Sequence, residues 1–354
     1  MTLRIGILPG DDIGLEVVPE CIKVMKAAAA RERLEVEWVP LPIGKRGHEE
    51  HGNTLPAVTE QALRELDGWV MGPIGHAAYP RGDPTWVMPP VRKRFDLFAA
   101  VRPSLSHAAI PSVHRDVDIV FLRELTEGML YSETVVAGLP EFRPNDDITV
   151  AMRVITRKGS SRVAREAFEI ARMRKRKKVT AAHKEPVYRL ACGMFAEECR
   201  KVARDYPDVA FEEMMIDSIA MKLVTAPQQF DVVVTTNQFG DILSDIGAGL
   251  VGGLGLAPGL CVGERQAMAQ ATHGSAPDIA GRGIANPYAM IESTRMLFDW
   301  LGHSRGNEGA VRMAASMSRA TTAALADPRA RTGDIRGTGN TAAFTQAVLR
   351  SLRE

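Results

Sequence analysis

Short apolar runs alternate with longer amphipathic segments along most of this chain. Apolar positions recur at helical spacing most clearly from residue 161 to residue 176, where Val163, Ala167 and Ala171 fall on one stripe. The runs that indicate β-strands lie at residues 3–8, 34–39, 118–122, 177–181 and 231–234. Alternation of strands and helices over this length predicts an α/β protein.

The predicted helix at 161–176 runs into a cationic stretch, RMRKRKK, at residues 172–178. Such a run is found in nucleic-acid-binding and nuclear-targeting segments. Cations in a last helical turn also offset the negative end of the helix dipole, and we favour that interpretation. The formal net charge of the whole chain is +1, so no global field attracts nucleic acid or an anionic membrane.

Length and composition indicate an ordinary globular protein with two domains. A chain of 354 residues with 45% hydrophobic and 25% charged residues can bury a large core. No C-x-x-C pair occurs, which favours reduced thiols, and Cys192 and Cys199 are expected to pack inside a helix. Because the chain opens directly on the strand at 3–8 and has no run of 18 apolar residues, we expect a cytoplasmic protein.

Two aspartates follow the predicted strand at 231–234. Asp241 and Asp245 lie four residues apart in the phrase NQFGDILSD, residues 237–245. On a helix this spacing stacks both carboxylates on one face, where they offer hard oxygen ligands to Mg²⁺ or Mn²⁺. The alternative is an acid-rich helix start that complements the dipole. The pattern by itself leaves both interpretations open.

A second phrase, HGSAPDIAGRGIANP at residues 273–287, sets this pair in context. Together with residues 237–245, it resembles the β-decarboxylating dehydrogenases, the family of isopropylmalate, isocitrate, homoisocitrate and D-malate/tartrate dehydrogenases. The resemblance runs from Ile5 to about Leu352. It includes LPGDDIG at 8–14, MGPIG at 71–75, VRKRFDLFAAVRP at 91–103 and RELT at 123–126.

This resemblance implies an α/β, isopropylmalate dehydrogenase-like fold of two domains. A discontinuous large domain would comprise residues 1–99 and 253–354, and an inserted domain, residues 100–252, would carry the metal site and the homodimer contacts. The active site would lie in the cleft between the domains. The dinucleotide site of this fold is not of the Rossmann type, and this chain has no G-x-G-x-x-G after its first strand.

Asp241 and Asp245 match the metal ligands of the family. Asp217 matches the third ligand, which by resemblance reaches across from the second subunit. The metal, Mg²⁺ or Mn²⁺, would make the hydroxyl of a 2-hydroxy acid easier to deprotonate and would stabilise the enolate left by CO₂.

Arg92, Arg102 and Arg123 match the family cluster that binds the substrate carboxylates. An arginine fork binds a carboxylate bidentately and keeps its charge at physiological pH. Arg102 and Arg123 are both predicted at strand ends, where sites collect in α/β folds.

For acid and base chemistry the family uses a lysine and a tyrosine. Lys184 matches the lysine that takes the hydroxyl proton, again lent by the partner subunit. Tyr131 is the candidate for protonating C3 after decarboxylation. The spacing from Arg123 to Tyr131 is one residue longer than usual in the family, so a buried aromatic residue is the alternative for Tyr131.

The phrase at 273–287 implies the cofactor contacts. His273, Gly274, Ser275 and Ala276 would cradle adenosine and phosphate. Asn286 would meet the adenine edge. Asp278, followed by Ile279, resembles the NAD-selective form, because a carboxylate accepts hydrogen bonds from ribose hydroxyls and repels a 2′-phosphate. NAD is therefore the expected cofactor.

Two departures from the family pattern lie near the expected nicotinamide. Pro186 stands where K-x-N would place an amide for the nicotinamide carboxamide. Gln270 stands where a glutamate is expected, and it keeps hydrogen-bonding capacity without the charge. Both changes indicate altered cofactor handling or a divergent activity.

Residues 76–91 should face the variable group of the substrate. Their last turn is apolar and has no hydroxyl placed for a third carboxylate, which favours an alkyl-substituted or small malate over isocitrate. Trp86 and Pro90 resemble the D-malate/tartrate enzymes, whereas RELT at 123–126 resembles the isopropylmalate enzymes. We expect 3-isopropylmalate first and D-malate or tartrate second. A catalytically silent regulatory paralogue is disfavoured because the three aspartates and Lys184 are present.

Overall fold

The computed structural model describes residues 2–75, 79, 88–129 and 141–354. Its strands are β1 (Leu3–Leu8), β2 (Val36–Pro40), β3 (Gly68–Met71), β4 (Ala99–Leu105), β5 (Asp118–Glu124), β6 (Glu141–Asn145), β7 (Ile148–Ala151), β8 (Lys178–His183), β9 (Ala210–Met215), β10 (Val232–Thr235), β11 (Leu260–Val262) and β12 (Ala267–Ala269). Its helices are α1 (Gly14–Arg31), α2 (Gly44–His51), α3 (Ala57–Arg64), α4 (Met88–Arg94), α5 (Arg157–Met173), α6 (Ala191–Ala203), α7 (Ile216–Thr225), α8 (Asn237–Val251), α9 (Tyr288–Arg305), α10 (Glu308–Ala326) and α11 (Thr341–Arg353).

Ten of these strands form one mixed sheet in the order β2-β1-β3-β12-β11-β4-β5-β10-β8-β9. The pairings of β11 with β12, of β11 with β4 and of β4 with β5 are antiparallel. The other pairings in this sheet are parallel. Helices cover both faces of such a sheet, which explains why the strands read as nearly continuous apolar runs. The predicted α/β fold class is confirmed.

Helix α5 begins earlier and ends earlier than the predicted helix at 161–176. Thr156 caps it, because the Thr156 hydroxyl accepts a hydrogen bond from the Gly159 amide at 3.0 Å. The apolar stripe that predicted the helix faces the core through buried side chains that include Val163, Ala167 and Ala171. Periodicity thus located the helix, and its ends depended on capping.

The cationic stretch after α5 does not act as the sequence suggested. Only Arg172 lies in the last turn of the helix, so compensation of the dipole is the wrong explanation for the cations beyond Met173. Arg174 Nε instead lies 2.5 Å from Asp231 Oδ1, and Arg176 Nη2 lies 3.4 Å from the same atom. The buried Asp231 carboxylate therefore draws this stretch against the start of β10.

Strand β4 joins the two predicted domains, because it pairs with β11 on one side and with β5 on the other. The division at residues 1–99, 100–252 and 253–354 stays a prediction. One apolar cluster, which includes Leu8 and Trp69, packs among β1, β3 and their neighbours. Another, which includes Phe121 and Val233, packs between β5, β10 and α8.

The four cysteines are free and buried, and Cys192 and Cys199 lie within α6 as predicted. Within the described residues, no helix combines the length and the apolar character needed to cross a membrane.

Candidate active site

Two arginines project from one face of the antiparallel pair β4 and β5. Arg102 lies opposite Phe121, and Arg123 lies opposite Ala100. Because alternate residues of a strand share a face, Arg102 and Arg123 are diagonal neighbours on the same face. Arg123 is the second-last residue of β5, as predicted, whereas Arg102 is the central residue of β4. The strand-end prediction for Arg102 is wrong, since the strand continues through Pro103.

Helix α8 lies directly against this face because two of its contact positions have no side chain. A Cβ atom at Gly240 would lie 2.6 Å from the Cβ atom of Arg123. One at Gly247 would lie 2.5 Å from the Phe121 ring. These separations are shorter than carbon atoms tolerate, so the close approach of α8 to β4 and β5 requires both glycines. This approach brings the aspartates of α8 to the arginines.

One carboxylate oxygen of Asp241 accepts hydrogen bonds from the guanidinium groups of both Arg102 and Arg123. Arg102 Nη1 donates to Asp241 Oδ1 at 2.9 Å, and Arg123 Nη1 donates to the same oxygen. Burial would raise the pKa of the Asp241 carboxyl, but the charges of Arg123 and Arg102 outweigh burial and lower it. The Arg123 side chain is 3% exposed and that of Asp241 is 49% exposed. The carboxylate thus extends from a buried arginine pair toward solvent.

Asn237 binds the buried Arg123 side chain through two hydrogen bonds. Asn237 Oδ1 accepts from Arg123 Nη2 at 2.7 Å and from Arg123 Nε at 3.1 Å. Asn237 Nδ2 donates to the backbone carbonyl of Glu127 at 3.0 Å. The sequence reasoning missed this residue. A signal was present, since Asn237 lies four residues before Asp241 on α8 and therefore on the same helical face.

Ser244 is a second contact that sequence reasoning missed. Arg102 Nη1 donates to Ser244 Oγ at 2.8 Å, in addition to its bond with Asp241. Ser244 lies three residues after Asp241, so the helical spacing again marked it.

A buried pair of carboxyl groups supports the segment after Arg123. Glu124 accepts hydrogen bonds from the amide and hydroxyl of Thr126, and Glu127 accepts from the amide and hydroxyl of Thr156. Burial, followed by the charge of Glu124, raises the pKa of Glu127 to about 7. Glu127 therefore links the start of α5 to the loop that Asn237 also binds.

Asp245 lies one turn beyond Asp241 on the same face of α8 and is exposed. Partial desolvation by the surrounding side chains, countered by Arg102 and reinforced by the Asp241 charge, raises the pKa of Asp245. The bonds from Arg102 and Arg123 both go to Asp241 Oδ1. Two hard carboxylates on one open face suit a divalent cation, so these residues fit the metal that the family implies.

Lys184 and Asp217 meet at a different place in the fold. They follow β8 and β9, which are parallel neighbours, and the strand ends pair through His183 and Met215. Lys184 Nζ lies 2.7 Å from Asp217 Oδ1, and this bond lowers the pKa of Asp217. In the described chain Asp217, Asp241 and Asp245 do not form a three-ligand group with all donor atoms within 4.8 Å. Their joint role, and the sharing of Lys184 between subunits, stay predictions.

Three loops meet around the start of α1, on the side predicted for the cofactor. The amide of Ile13 donates to the Ser275 carbonyl at 3.1 Å. Asp11 is buried and accepts from the Gly75 amide at 2.9 Å and from the Lys45 amide at 2.8 Å. These bonds hold the turn after β1 against the loop that carries Ser275.

His273 has an unused nitrogen in this region. Its Nδ1 lies 3.0 Å from the Gly274 carbonyl oxygen and can only donate there, so Nε2 carries the lone pair. Nε2 is buried and has no hydrogen-bond partner among the described residues. Burial lowers the pKa of His273, which keeps the ring neutral at physiological pH. An acceptor in this state fits a ligand that brings a hydroxyl or amine donor, such as the ribose of a dinucleotide.

The remaining predicted cofactor residues differ in their surroundings. Asn286 is buried, and its amide donates to Asp334 Oδ2 at 3.0 Å and accepts from the Tyr288 amide at 3.0 Å. Asp278 is exposed, and Ile279 is partly buried against the core. Ala276 has a positive φ of 44°, an uncommon conformation for a residue with a side chain. The roles of these residues stay predictions.

A cleft joins the arginine side to the His273 side. It contains about 540 Å³ of empty space, part of it open to solvent. Residues from both predicted sites line it, among them Arg92, Arg102, Gln270, His273 and Gly274. Arg92 Nη2 donates to Gln270 Oε1 at 3.2 Å. Gln270, the departure noted in the sequence, therefore lies between a predicted substrate residue and a predicted cofactor residue.

Two parts of the predicted site lie outside the described residues. One is Tyr131. The other is most of the substrate-facing segment at 76–91, including Trp86.

This chain is similar to proteins of known function over nearly all of its length. A solved structure of isocitrate dehydrogenase from Methylococcus capsulatus matches with a TM-score of 0.88 and 36% identity, covering 99% of this chain and 100% of that one. 3-Isopropylmalate dehydrogenase of Archaeoglobus fulgidus is 42% identical over 300 residues, 85% of this chain and 86% of the relative. Isocitrate/homoisocitrate dehydrogenase of Thermus thermophilus is 39% identical over 360 residues, 100% of this chain and 99% of the relative.

Fold, site and relatives together define a decarboxylating dehydrogenase. A sequence profile described as isocitrate/isopropylmalate dehydrogenase matches residues 4–348, and the chain belongs to that family. The predictions of family, fold and enzyme class are confirmed. Enzymes of this family use a nicotinamide dinucleotide and a divalent metal.

Proposed function

We propose that this protein catalyses the NAD-dependent, divalent-metal-assisted oxidative decarboxylation of a 3-substituted malate, with 3-isopropylmalate as the leading substrate. The observation that carries the proposal is the cleft in which Arg92 and Arg102 face His273 and Gly274. Cationic forks for carboxylates and an unpartnered acceptor for a nucleotide thus share one space, as hydride transfer between a hydroxy acid and a nicotinamide requires.

The arginine side of the cleft is suited to bind a dianion. Arg102 and Arg123 keep their charge at any physiological pH, and Asn237 and Asp241 fix the direction of their N–H groups. Because both side chains are largely buried, a substrate carboxylate would pair with preoriented donors and would require little reorganisation.

Asp241 and Asp245, with Asp217 of a second protomer, would hold Mg²⁺ or Mn²⁺. The bound metal supplies Lewis acidity to the hydroxyl and to the oxygen that gains charge as CO₂ leaves. Lys184, as the neutral amine, would take the hydroxyl proton, and its contact with Asp217 would hold the side chain beside that metal ligand. Tyr131 would return a proton to C3 of the substrate.

A homodimer with shared active sites accounts for the surface around Lys184 and Asp217. Apolar side chains that flank these residues and Asp241 along the chain are exposed: Val187, Leu190, Met215, Met221, Val224 and Ile242. Clustered exposed apolar side chains are typical of protein–protein contact sites. A second copy of the chain seated here would cover them and would bring Lys184 and Asp217 toward a neighbouring Asp241.

Isocitrate or homoisocitrate is the second candidate substrate. The full-length similarity to an isocitrate/homoisocitrate dehydrogenase favours it. The apolar last turn of residues 76–91 and the absence of a hydroxyl for a third carboxylate favour 3-isopropylmalate instead. D-Malate and tartrate follow, on the likeness of Trp86 and Pro90 to the enzymes that use them.

The decisive experiment is NADH formation with Mn²⁺ across 3-isopropylmalate, D-malate, tartrate, isocitrate and homoisocitrate. We expect the highest kcat/KM with 3-isopropylmalate and no rate after chelation of the metal. A higher kcat/KM with a tricarboxylate would replace the leading substrate, and no turnover with any of the five acids would refute the proposed activity.

The choice of NAD is tested by the exposed Asp278 and by Pro186. Asp278→Lys should raise the KM for NAD at least about tenfold and should improve use of NADP, because the carboxylate is replaced by a group that attracts a 2′-phosphate. Pro186→Asn should lower the KM for NAD a few fold, since an amide adds a hydrogen bond worth about 0.5–1.5 kcal/mol. Titration of both dinucleotides against both variants gives the answer. An unchanged cofactor preference in Asp278→Lys would contradict the assignment.

A further inference from the structure

A cluster of four ionisable side chains surrounds the backbone on both sides of Lys184. His183, Glu185 and Glu213 place one ligand atom each within 4.8 Å of one another. Arg200, on α6, reaches the same point: Arg200 Nε lies 2.7 Å from Glu213 Oε1, and Arg200 Nη2 lies 2.7 Å from Glu213 Oε2 and from Glu185 Oε2.

The hydrogen bonds argue against a metal at this cluster. The Glu185 amide donates to His183 Nδ1 at 3.2 Å, so the ring proton is on Nε2, which donates to Glu213 Oε2 at 3.0 Å. Both ring nitrogens are therefore engaged. The guanidinium of Arg200 already supplies the positive charge that the two carboxylates need. A cation would have to displace Arg200 and the imidazole proton together.

The cluster instead fixes the chain at the residues directly before and after Lys184. His183 is tied to Glu213 on the neighbouring strand β9, and Glu185 is tied to Arg200 on α6. Glu213 lies four residues before Asp217, which binds Lys184. The same cluster therefore also fixes the segment that leads to Asp217. From this fixed backbone the Lys184 side chain extends to Asp217.

We propose that Glu185, Arg200 and Glu213 are positioning residues that hold Lys184 for proton transfer in the active site of the neighbouring protomer. This inference rests on the proposed function for the role of Lys184. None of the three residues touches the substrate, and each acts through the backbone that carries the lysine. The side chains are partly exposed, so we expect their ion pairs to contribute little to folding stability.

The test compares Glu185→Ala and Arg200→Ala with Glu185→Gln, in the intact dimer and with the preferred hydroxy acid. We expect kcat to fall about tenfold in both alanine variants, because a catalytic group displaced by about 1 Å loses up to a hundredfold in rate. The KM values for NAD and the acid should stay within twofold, and Glu185→Gln should recover most of kcat, since its amide oxygen still accepts from Arg200. Arg165→Ala, which removes the more exposed ion pair with Asp205, is the control and should leave kcat unchanged.

A second measurement does not depend on turnover. Competitive acetylation of the metal-free protein, read by mass spectrometry, reports how firmly the Lys184 amine is held in its bond with Asp217. Lys184 should react at least about threefold faster in Glu185→Ala and Arg200→Ala, as in Asp217→Asn, while the exposed Lys26 reacts as in the wild type.

The two measurements separate the positioning role from the proposed function. If the wild type oxidises none of the acids but the acetylation rates change as stated, the proposed function fails and the clamp on Lys184 stands. Unchanged acetylation of Lys184 in both alanine variants would overturn the clamp. So would a Zn²⁺ ion bound by the wild-type protein and lost in His183→Ala, since the cluster would then be a metal site.

Discussion

The two ends of the predicted active site are built in opposite ways. At the arginine end, which comprises Arg102, Arg123, Asn237 and Asp241, the charged groups bind one another inside a single chain, and Arg123 is almost completely buried. At the lysine end, Lys184 and Asp217 bind each other, and the Asp217 side chain is 61% exposed.

The difference in burial between the two ends indicates which half of the predicted site a single chain can complete. Buried guanidinium groups need their partners in the same chain, because an unpaired buried charge would destabilise the fold before any dimer formed. A half-buried lysine paired with an exposed aspartate needs no further partner to be stable in a single chain. This difference agrees with the proposal that the lysine end completes the site of a neighbouring protomer, and four experiments sharpen or break the contrast.

The largest effect is expected at Asp241, which belongs to the arginine end and is also a proposed metal ligand. Asp241→Asn should reduce Mn²⁺-dependent turnover by about 10²–10³-fold, because a charged ligand is lost. The fold should persist, since the asparagine oxygen still accepts from Arg102 and Arg123. Circular dichroism and steady-state kinetics measure both quantities, with the exposed Asp205→Asn as the control. Near-normal activity in Asp241→Asn would show that the metal assignment is wrong.

Mixed dimers test whether the lysine end works in the partner. Lys184→Ala and Asp241→Asn chains should each be inactive alone. After subunit exchange at equal amounts, about a quarter of wild-type activity should return, because half of the dimers are hybrids and each hybrid has one intact site of two. Tagged subunits verify the exchange. Proven hybrids without activity would place Lys184 and Asp241 in the same chain's site.

Asn237 tests how far the arginine end depends on its buried support. Asn237→Leu should raise the KM for the hydroxy acid about tenfold and lower the free energy of unfolding by about 1–3 kcal/mol, because Arg123 and the Glu127 carbonyl lose buried partners. Asn340→Leu is the matched control: it removes the cap of α11 and about 1 kcal/mol of stability, and it should leave KM unchanged. Equal KM values for the hydroxy acid in the two variants would show that Asn237 does not support substrate binding.

The smallest effect concerns pH and the carboxyl pair behind Arg123. The pKa of Glu127 is raised from 4.5 to about 7 in the folded protein, so its contribution to stability is full below pH 4.5 and is lost as pH rises through 7. Glu127→Gln, which cannot ionise, should therefore be more stable than the wild type at pH 8, by at most about 3 kcal/mol, and nearly equal to it at pH 4.5.

Urea unfolding at both pH values measures this difference. Glu308 is exposed to solvent, so Glu308→Gln is the control and should show no such pH dependence of stability. A Glu127→Gln variant that is less stable than the wild type at pH 8 would mean that the ionised carboxylate supports the start of α5.

Much of the fold could be predicted from local pattern. The apolar runs at 3–8 and 231–234 became β1 and β10, because a strand buried on both faces must be apolar throughout. The helical stripe predicted α5, but not its ends. The cap by Thr156 and the binding of Arg174 to Asp231 decide those ends, and both depend on which groups are brought into reach.

For the candidate site, too, some features follow from local sequence and others depend on tertiary contacts. The sequence by itself determined which residues are the candidates for this chemistry, since the four-residue spacing of Asp241 and Asp245 puts two carboxylates on one face of any helix, and the family phrases mark the arginines and Lys184. Only the tertiary structure decided how these residues are held. The diagonal placement of Arg102 and Arg123 and the support of Arg123 by Asn237 join residues far apart in the chain, and such contacts exist only after the sheet and helix α8 have packed together. The bonds of Arg200 beside Lys184 likewise require α6 to pack next to strands β8 and β9.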